Sequence, residues 1–169
     1  MEDHLNDIEN MFLGAYNLHA DSIFRFCYFK TSDREIAKDI AQDVFMKTWE
    51  YLAQGGEVQN MKAYLYKVAH NAVIDFWRKS KSVPESDLPP GFFENMEAKE
   101  NTELQAEYSI FLSFLQKLSK DDRDLITMRY VEDMSPREIA YILNEKENTI
   151  SVRINRAVAR LRNIAGGKE

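Results

Sequence analysis

Apolar residues recur at three- and four-residue spacing along most of the chain, and no stretch shows the strict alternation of a half-buried strand. The pattern predicts helices throughout. From about Ile8 to Lys30, one or two helices place Phe12, Tyr16, Ile23, Phe26 and Cys27 on an inner face. Thr31-Ser32-Asp33 interrupts them, and Ser32 with Glu35 has the spacing of a capping box for the next helix. That helix runs to about Ala53. It buries Ile36, Ile40, Ala41, Val44, Thr48 and Leu52, and leaves Asp39, Gln42, Asp43, Met46 and Lys47 outside. Gln54-Gly55-Gly56 ends it, and a short loop continues to Asn60. A third helix, Met61 to about Lys81, turns Met61, Leu65, Val68, Ala69, Ala72 and Phe76 inward. Tyr64, Lys67, His70, Asn71, Ile74, Trp77 and Arg78 face away, with Tyr66 at the margin. Aromatics interleaved with basic residues on an outer face suit stacking on unpaired bases, with Lys and Arg along the backbone. The same rings would equally serve to pack against neighbouring helices.

The stretch from Ser82 to Asn101 breaks the periodicity with Pro84, Pro89-Pro90-Gly91 and many acids, and reads as a linker. Phe92 and Phe93 are unusual there. Helical spacing resumes near Thr102 with Tyr108, Phe111, Leu112, Leu115 and Leu118. Ser119 can cap a further helix whose inner residues are Leu125, Ile126 and Met128. The fold class expected is all-α: two small helical domains, 1–81 and 105–169, joined by an acidic linker over 82–104, the second domain a helix-turn-helix.

That last expectation rests on Ser135 to Ala165. Ser135, Pro136 and Glu138 occupy the N-cap, first-turn and capping-box positions of a short helix. Ile139, Ile142 and Leu143 form its apolar face, and Asn144 suits the left-handed residue that ends it. In the longer helix that follows, Ile150, Ile154, Ala157 and Leu161 share one stripe. Ser151, Val152, Asn155, Arg156 and Ala159 lie opposite, flanked by Arg153 and Arg160, and no acid occurs from Asn148 to Ala165. An isolated basic helix is often just a solvated face. One preceded by a capped helix and a tight turn fits a major groove.

Charge at first argues against nucleic acid, since the 169 residues sum to −6. The distribution reverses that. Acids crowd the N-terminus and Glu85 to Glu107, while basic residues crowd Lys62 to Lys81 and Arg153 to Arg162. The N-terminus is acidic and polar, unlike a signal peptide, and no apolar run is long enough to span a membrane. A single cysteine, Cys27, with aromatic neighbours reads as a buried thiol and suits a reducing cytoplasm. Enzymatic readings find little support. His4, His19 and His70 are scattered, no metal-ligand spacing or phosphate-binding glycine loop occurs, and neither metal nor cofactor is expected. Two other classes compete: a regulator that binds duplex DNA unaided, and a helical module that binds only protein.

Asp39-Ile-Ala-Gln-Asp-Val-Phe with Trp49, then Ala63 through Arg78, then Leu118 to Arg162 with Thr149, Arg153 and Arg156-Ala157, follow one another in an order that resembles the extracytoplasmic-function sigma factors of bacteria. The resemblance covers nearly the full length outside the linker and termini. It implies a protein without catalysis of its own that binds core RNA polymerase and directs promoter-specific initiation. Asp39, Gln42, Asp43 and Met46 would dock on the clamp helices of the largest subunit, and the flap of the second largest would be a further contact. Tyr64, Lys67, His70, Asn71, Ile74, Trp77 and Arg78 would engage the −10 element as it melts, with Asn71 helping to hold a flipped base and the Gln54–Asn60 loop setting specificity. Thr149, Ser151, Val152, Arg153, Asn155, Arg156 and Arg160 would read the −35 duplex. The family is usually held by an anti-sigma factor, often membrane-bound. Departures are instructive. Tyr64 replaces a usual Trp, the loop Gly-Gly-Glu-Val-Gln lacks the aromatic often found there, Ser151 and Val152 replace a basic and a small polar residue, and Lys146 replaces a Ser-type cap.

Overall fold

The computed structural model describes residues 2–80 and 110–167, with side chains from residue 6 onward. The expectations for Ser82 to Asn101, for Phe92 and Phe93, and for a helix start near Thr102 lie outside the described residues. Within them all regular structure is helical and falls into two compact units.

The first unit is three helices, each packed on the other two: α1 (Glu2–Thr31), α2 (Arg34–Ala53) and α3 (Met61–Ser80). α1 is unbroken. Ile23, Phe26 and Cys27 of α1 meet Ala37, Ile40, Val44, Phe45 and Leu52 of α2 and Leu65, Tyr66, Ala69 and Val73 of α3 in a buried core. Aromatic edges close it: Phe12 stands 5.3 Å from Trp49, and Phe26 lies 5.2 Å from Tyr66. Tyr16 departs from its expected core position. It is 47 % exposed and meets the core only through its ring, 4.9 Å from Phe45.

The cap of α2 also differs from expectation. Ser32 adopts a left-handed conformation (φ 56°), which ends α1, so it cannot supply the extended backbone of an N-cap. Asp33 takes that role, with φ −131° and ψ 124°, and its Oδ1 accepts the Ile36 N–H at 3.0 Å. Thr31 steadies the junction by donating its hydroxyl to the Cys27 carbonyl at 2.9 Å. Cys27 itself is sealed in the core, and burial pushes its thiol up to about 12 against a small opposing effect of Lys30.

The second unit holds α4 (residues 110–116), α5 (Lys120–Ile126), a π-helical turn (Thr127–Val131), α6 (Pro136–Leu143) and α7 (Glu147–Ala165). Leu112, Leu115, Leu118, Ile126 and Ala157 cluster in its core, with Phe111, Val158, Leu161 and Ile164 packed around them. Ser119 caps α5 as expected, accepting the Asp122 N–H at 3.3 Å. The next residue but three does more. Arg123, only 8 % exposed, reaches back to the open end of α4, where its Nε donates to the Leu115 carbonyl at 3.2 Å and its Nη2 to those of Gln116 and Leu118 at 3.1 and 3.3 Å. A cation at a helix C-terminus also meets the favourable end of the helix dipole.

Candidate nucleic-acid interfaces

The helix-turn-helix is built from its caps. The Ser135 hydroxyl accepts the Glu138 N–H at 3.2 Å while the Glu138 carboxylate accepts the Ser135 N–H at 2.7 Å, a reciprocal capping box, with Pro136 in the first turn. α6 ends at Asn144 in the left-handed region (φ 56°, ψ 44°), and the Glu145 N–H closes the turn on the Ala140 carbonyl at 3.0 Å. α7 then begins at Lys146, whose side chain makes no cap. Ile139, Ala140 and Ile142 of α6 and Ile150, Ile154 and Ala157 of α7 are buried, so the rest of α7 is turned outward.

Thr149, Val152, Asn155 and Arg156 stand exposed on that outer surface. The other three members of the expected set are more constrained. Ser151 is half-buried, and half-buried Arg153 is ion-paired with Glu145. Arg160 is exposed but its Nη1 pairs with Asp122 at 2.5 Å, tying α7 to α5. Arg156 makes no hydrogen bond or ion pair among the described residues. Glu145 and Asp122 were not foreseen, because neither lies on α7: the turn brings Glu145 to it, and the packing of α5 on α7 brings Asp122. An arginine already paired with a carboxylate displaces fewer counterions from DNA. Glu145→Gln should therefore steepen the salt dependence of DNA binding by about one in log–log slope. Binding titrations of the polymerase-bound protein across potassium chloride would check this, and an unchanged slope would show that Arg153 stays on its own helix.

On α3 the buried arc is rotated by roughly one residue from the expected one, toward Tyr66. Tyr66 is fully buried against Phe26 rather than marginal, and Ala63 and Val73 join it. The rotation divides the expected outer set. Asn71, Ile74 and Arg78 are exposed, with Arg78 3.0 Å from Asp75. Tyr64 is half-buried on one flank, while Lys67, also half-buried, lies between Ile74 and Arg78 on the helical wheel. His70 and Trp77 are half-buried on the other, where the Trp77 Nε1 donates to the Lys30 carbonyl of α1 at 3.3 Å. Trp77 therefore serves packing as well as surface. Tyr64 stacks on Tyr51 of α2, and partial burial with that neighbouring phenol raises its pKa above the ordinary tyrosine value, so it stays neutral.

α2 carries the third surface. Asp39, Gln42, Asp43 and Met46 follow one another at helical spacing and all are exposed, Met46 by 53 %. Among the described residues no helix is long and apolar enough to cross a membrane, and no group of His, Cys, Asp and Glu is placed to hold a metal ion.

A three-helix unit with an acidic outer stripe, and a second unit ending in a capped helix-turn-helix, define a DNA-associated transcription protein. The Sigma-70 region 2 family matches residues 15–83 and the Sigma-70 region 4 family residues 108–161. The ECF RNA polymerase sigma factor SigM of Bacillus subtilis is 27% identical over 150 residues, which cover 87% of this chain and 90% of that one. The RNA polymerase sigma-E factor of Streptomyces avermitilis is 28% identical over 147 residues, covering 84% and 78%. The fold is that of the sigma factor RpoE from Bartonella quintana, solved in complex with the anti-sigma factor NepR (TM-score 0.67, 23% identity, 94% of this chain and 98% of that one). It is also that of CnrH, solved with the cytosolic domain of CnrY (TM-score 0.64, 19% identity, 95% and 91%). The chain belongs to the extracytoplasmic-function branch, group 4, of the sigma-70 family, whose members act with RNA polymerase in transcription initiation and are not enzymes.

Proposed function

We propose that this sigma factor recognises a two-part promoter, with residues 1–81 serving core polymerase and the −10 element, 82–104 the linker, and 105–169 the −35 element. The carrying observation is the outer surface of α7. Thr149, Val152, Asn155 and the unpaired Arg156 are presented together behind a reciprocal capping box and a left-handed Asn144, the arrangement that seats a helix in a major groove. Arg156 suits a guanine edge or a phosphate, and Val152 a thymine methyl. Ser151, Arg153 and Arg160 lie beside this patch, the two arginines held by the pairs described above.

The exposed Asn71 and Ile74, with Tyr64, Lys67, His70, Trp77 and Arg78 around them, form the surface for the melted −10 strand. Asn71 holds an extruded base, and contacts to that base offset the few kcal/mol that flipping costs. The stripe of Asp39, Gln42, Asp43 and Met46 docks on the clamp helices of the largest polymerase subunit, and the second unit on the flap of the second largest. An anti-sigma factor restrains the protein between these engagements.

Run-off transcription tests the reading. Purified core polymerase and a pool of genomic fragments should yield discrete new transcripts only when this protein is added, and those transcripts should share two upstream elements. Absence of both transcripts and core association would sink it in favour of a stand-alone DNA-binding regulator.

A further inference from the structure

Tyr51 lies outside every surface discussed so far, yet its setting is unusual. It is a large aromatic near the end of α2, 43 % exposed, with its ring centroid 5.4 Å from that of Tyr64 and the two planes only 23° apart. The loop that follows is folded under it. The Gly56 N–H donates to the Tyr51 carbonyl at 2.9 Å, and Gly55 turns the chain at φ 86°. A Cβ on Gly56 would fall 2.4 Å from the Tyr51 ring. The ring therefore rests against a position that only glycine leaves empty, and Tyr64 is stacked against it. Beyond the loop, the Asn60 side chain accepts the Ala63 N–H at 3.0 Å and fixes the start of α3, the helix that carries Tyr64 and Asn71.

We propose that Tyr51 is a base-stacking residue of the −10 site, and that the Tyr51–Tyr64 pair is a preformed ledge for an unpaired base. The specificity loop has no aromatic of its own between Gln54 and Asn60. Tyr51, one helical turn before Gly55, supplies one from the helix instead, and Gly56 makes room for it. Aromatic rings fixed in advance lose little freedom when a base stacks on them, and such stacking tolerates any base. Tyr51 thereby contributes affinity for the open strand rather than discrimination among sequences. The inference rests on α3 being the surface of the melted strand.

The test uses the full chain bound to core polymerase and a fork-junction fragment of a promoter recovered by run-off transcription. 2-Aminopurine replaces each unpaired −10 position in turn. One position should be quenched with the unaltered protein. Tyr51→Leu should abolish that quench and weaken fork binding by about tenfold, while Tyr51→Phe should retain both. Gly56→Ala, which forces the ring aside, should lose the quench without loss of core association. Asn71→Ala separates the two levels of the argument. If Asn71→Ala weakens fork binding while Tyr51→Leu changes neither quench nor affinity, the stacking role is overturned and the −10 surface stands. If neither substitution has any effect, both fall. Thermal unfolding and core association of Tyr51→Leu guard against a misfolded variant, and Tyr51→Phe losing the quench despite normal folding would also overturn the proposal.

Discussion

Arg123→Met should destabilise the second helical unit by about 3 kcal/mol. Methionine keeps most of the buried stem, so the loss falls on the guanidinium. Three carbonyls at the end of α4, those of Leu115, Gln116 and Leu118, would each lose a donor in a place where water has poor access. The helix-turn-helix hangs on this corner, because α5 packs on α7 and Ile126 shares a cluster with Ala157. Arg123→Lys should recover part of the loss, since a single ammonium keeps the charge but cannot span three acceptors with a planar fork. Both tryptophans, Trp49 and Trp77, belong to the first unit. Their fluorescence therefore reports that unit alone, while far-ultraviolet circular dichroism reports helices of both. In urea, Arg123→Met should move the circular dichroism midpoint well below the fluorescence midpoint. Unmoved dichroism would mean that solvent replaces the lost donors at no cost.

Arg156→Ala should weaken promoter binding by about 1–3 kcal/mol, and more than either Arg153→Ala or Arg160→Ala. The ordering follows from what each guanidinium already holds. Arg156 is exposed and unpaired among the described residues, whereas Arg153 is paired with Glu145 and Arg160 with Asp122. An arginine drawn off a carboxylate must give up that partner before it can serve DNA, which reduces the net gain. Arg160→Ala should instead show part of its effect as lost stability, because it frees Asp122, which is largely buried. The comparison needs transcription from one promoter carrying matched and scrambled −35 segments. An Arg156→Ala protein that still distinguishes the two segments fully would place the reading surface elsewhere on α7.

Helices and their ends were legible in the sequence wherever a local rule sufficed. Ser135, Pro136, Glu138 and Asn144 set the borders of α6 through bonds within a few residues of themselves, and the structure has each of them in its expected place. Most of the inner stripe of α2 was equally readable, because Ile40, Ala41, Val44, Thr48 and Leu52 are all apolar or able to satisfy themselves, although Ile36 is only half-buried and Ala37 and Phe45 join the core. Thr48 does so by donating its hydroxyl to the Val44 carbonyl at 2.7 Å. Choices between neighbours were not readable. Ser32 and Asp33 can both cap, and a left-handed turn at Ser32 decided between them. On α3 the sequence offers aromatics on every side, so periodicity alone misplaced the buried arc by one step. Phe26 across the interface fixes Tyr66 inside. The π-helical turn at Thr127–Val131 has no signature in the residue pattern. Ion pairs between elements, such as Arg160 with Asp122, require the fold before they can be seen.

The sealed thiol of Cys27 has a chemical consequence. It is the sole cysteine of the chain, it lies in the core, and it stays protonated at any physiological pH. Oxidants attack thiolates that solvent can reach. Sealed in the core and protonated, Cys27 is therefore a poor target for oxidants so long as the three-helix unit stays folded, and its reactivity would report opening of that core.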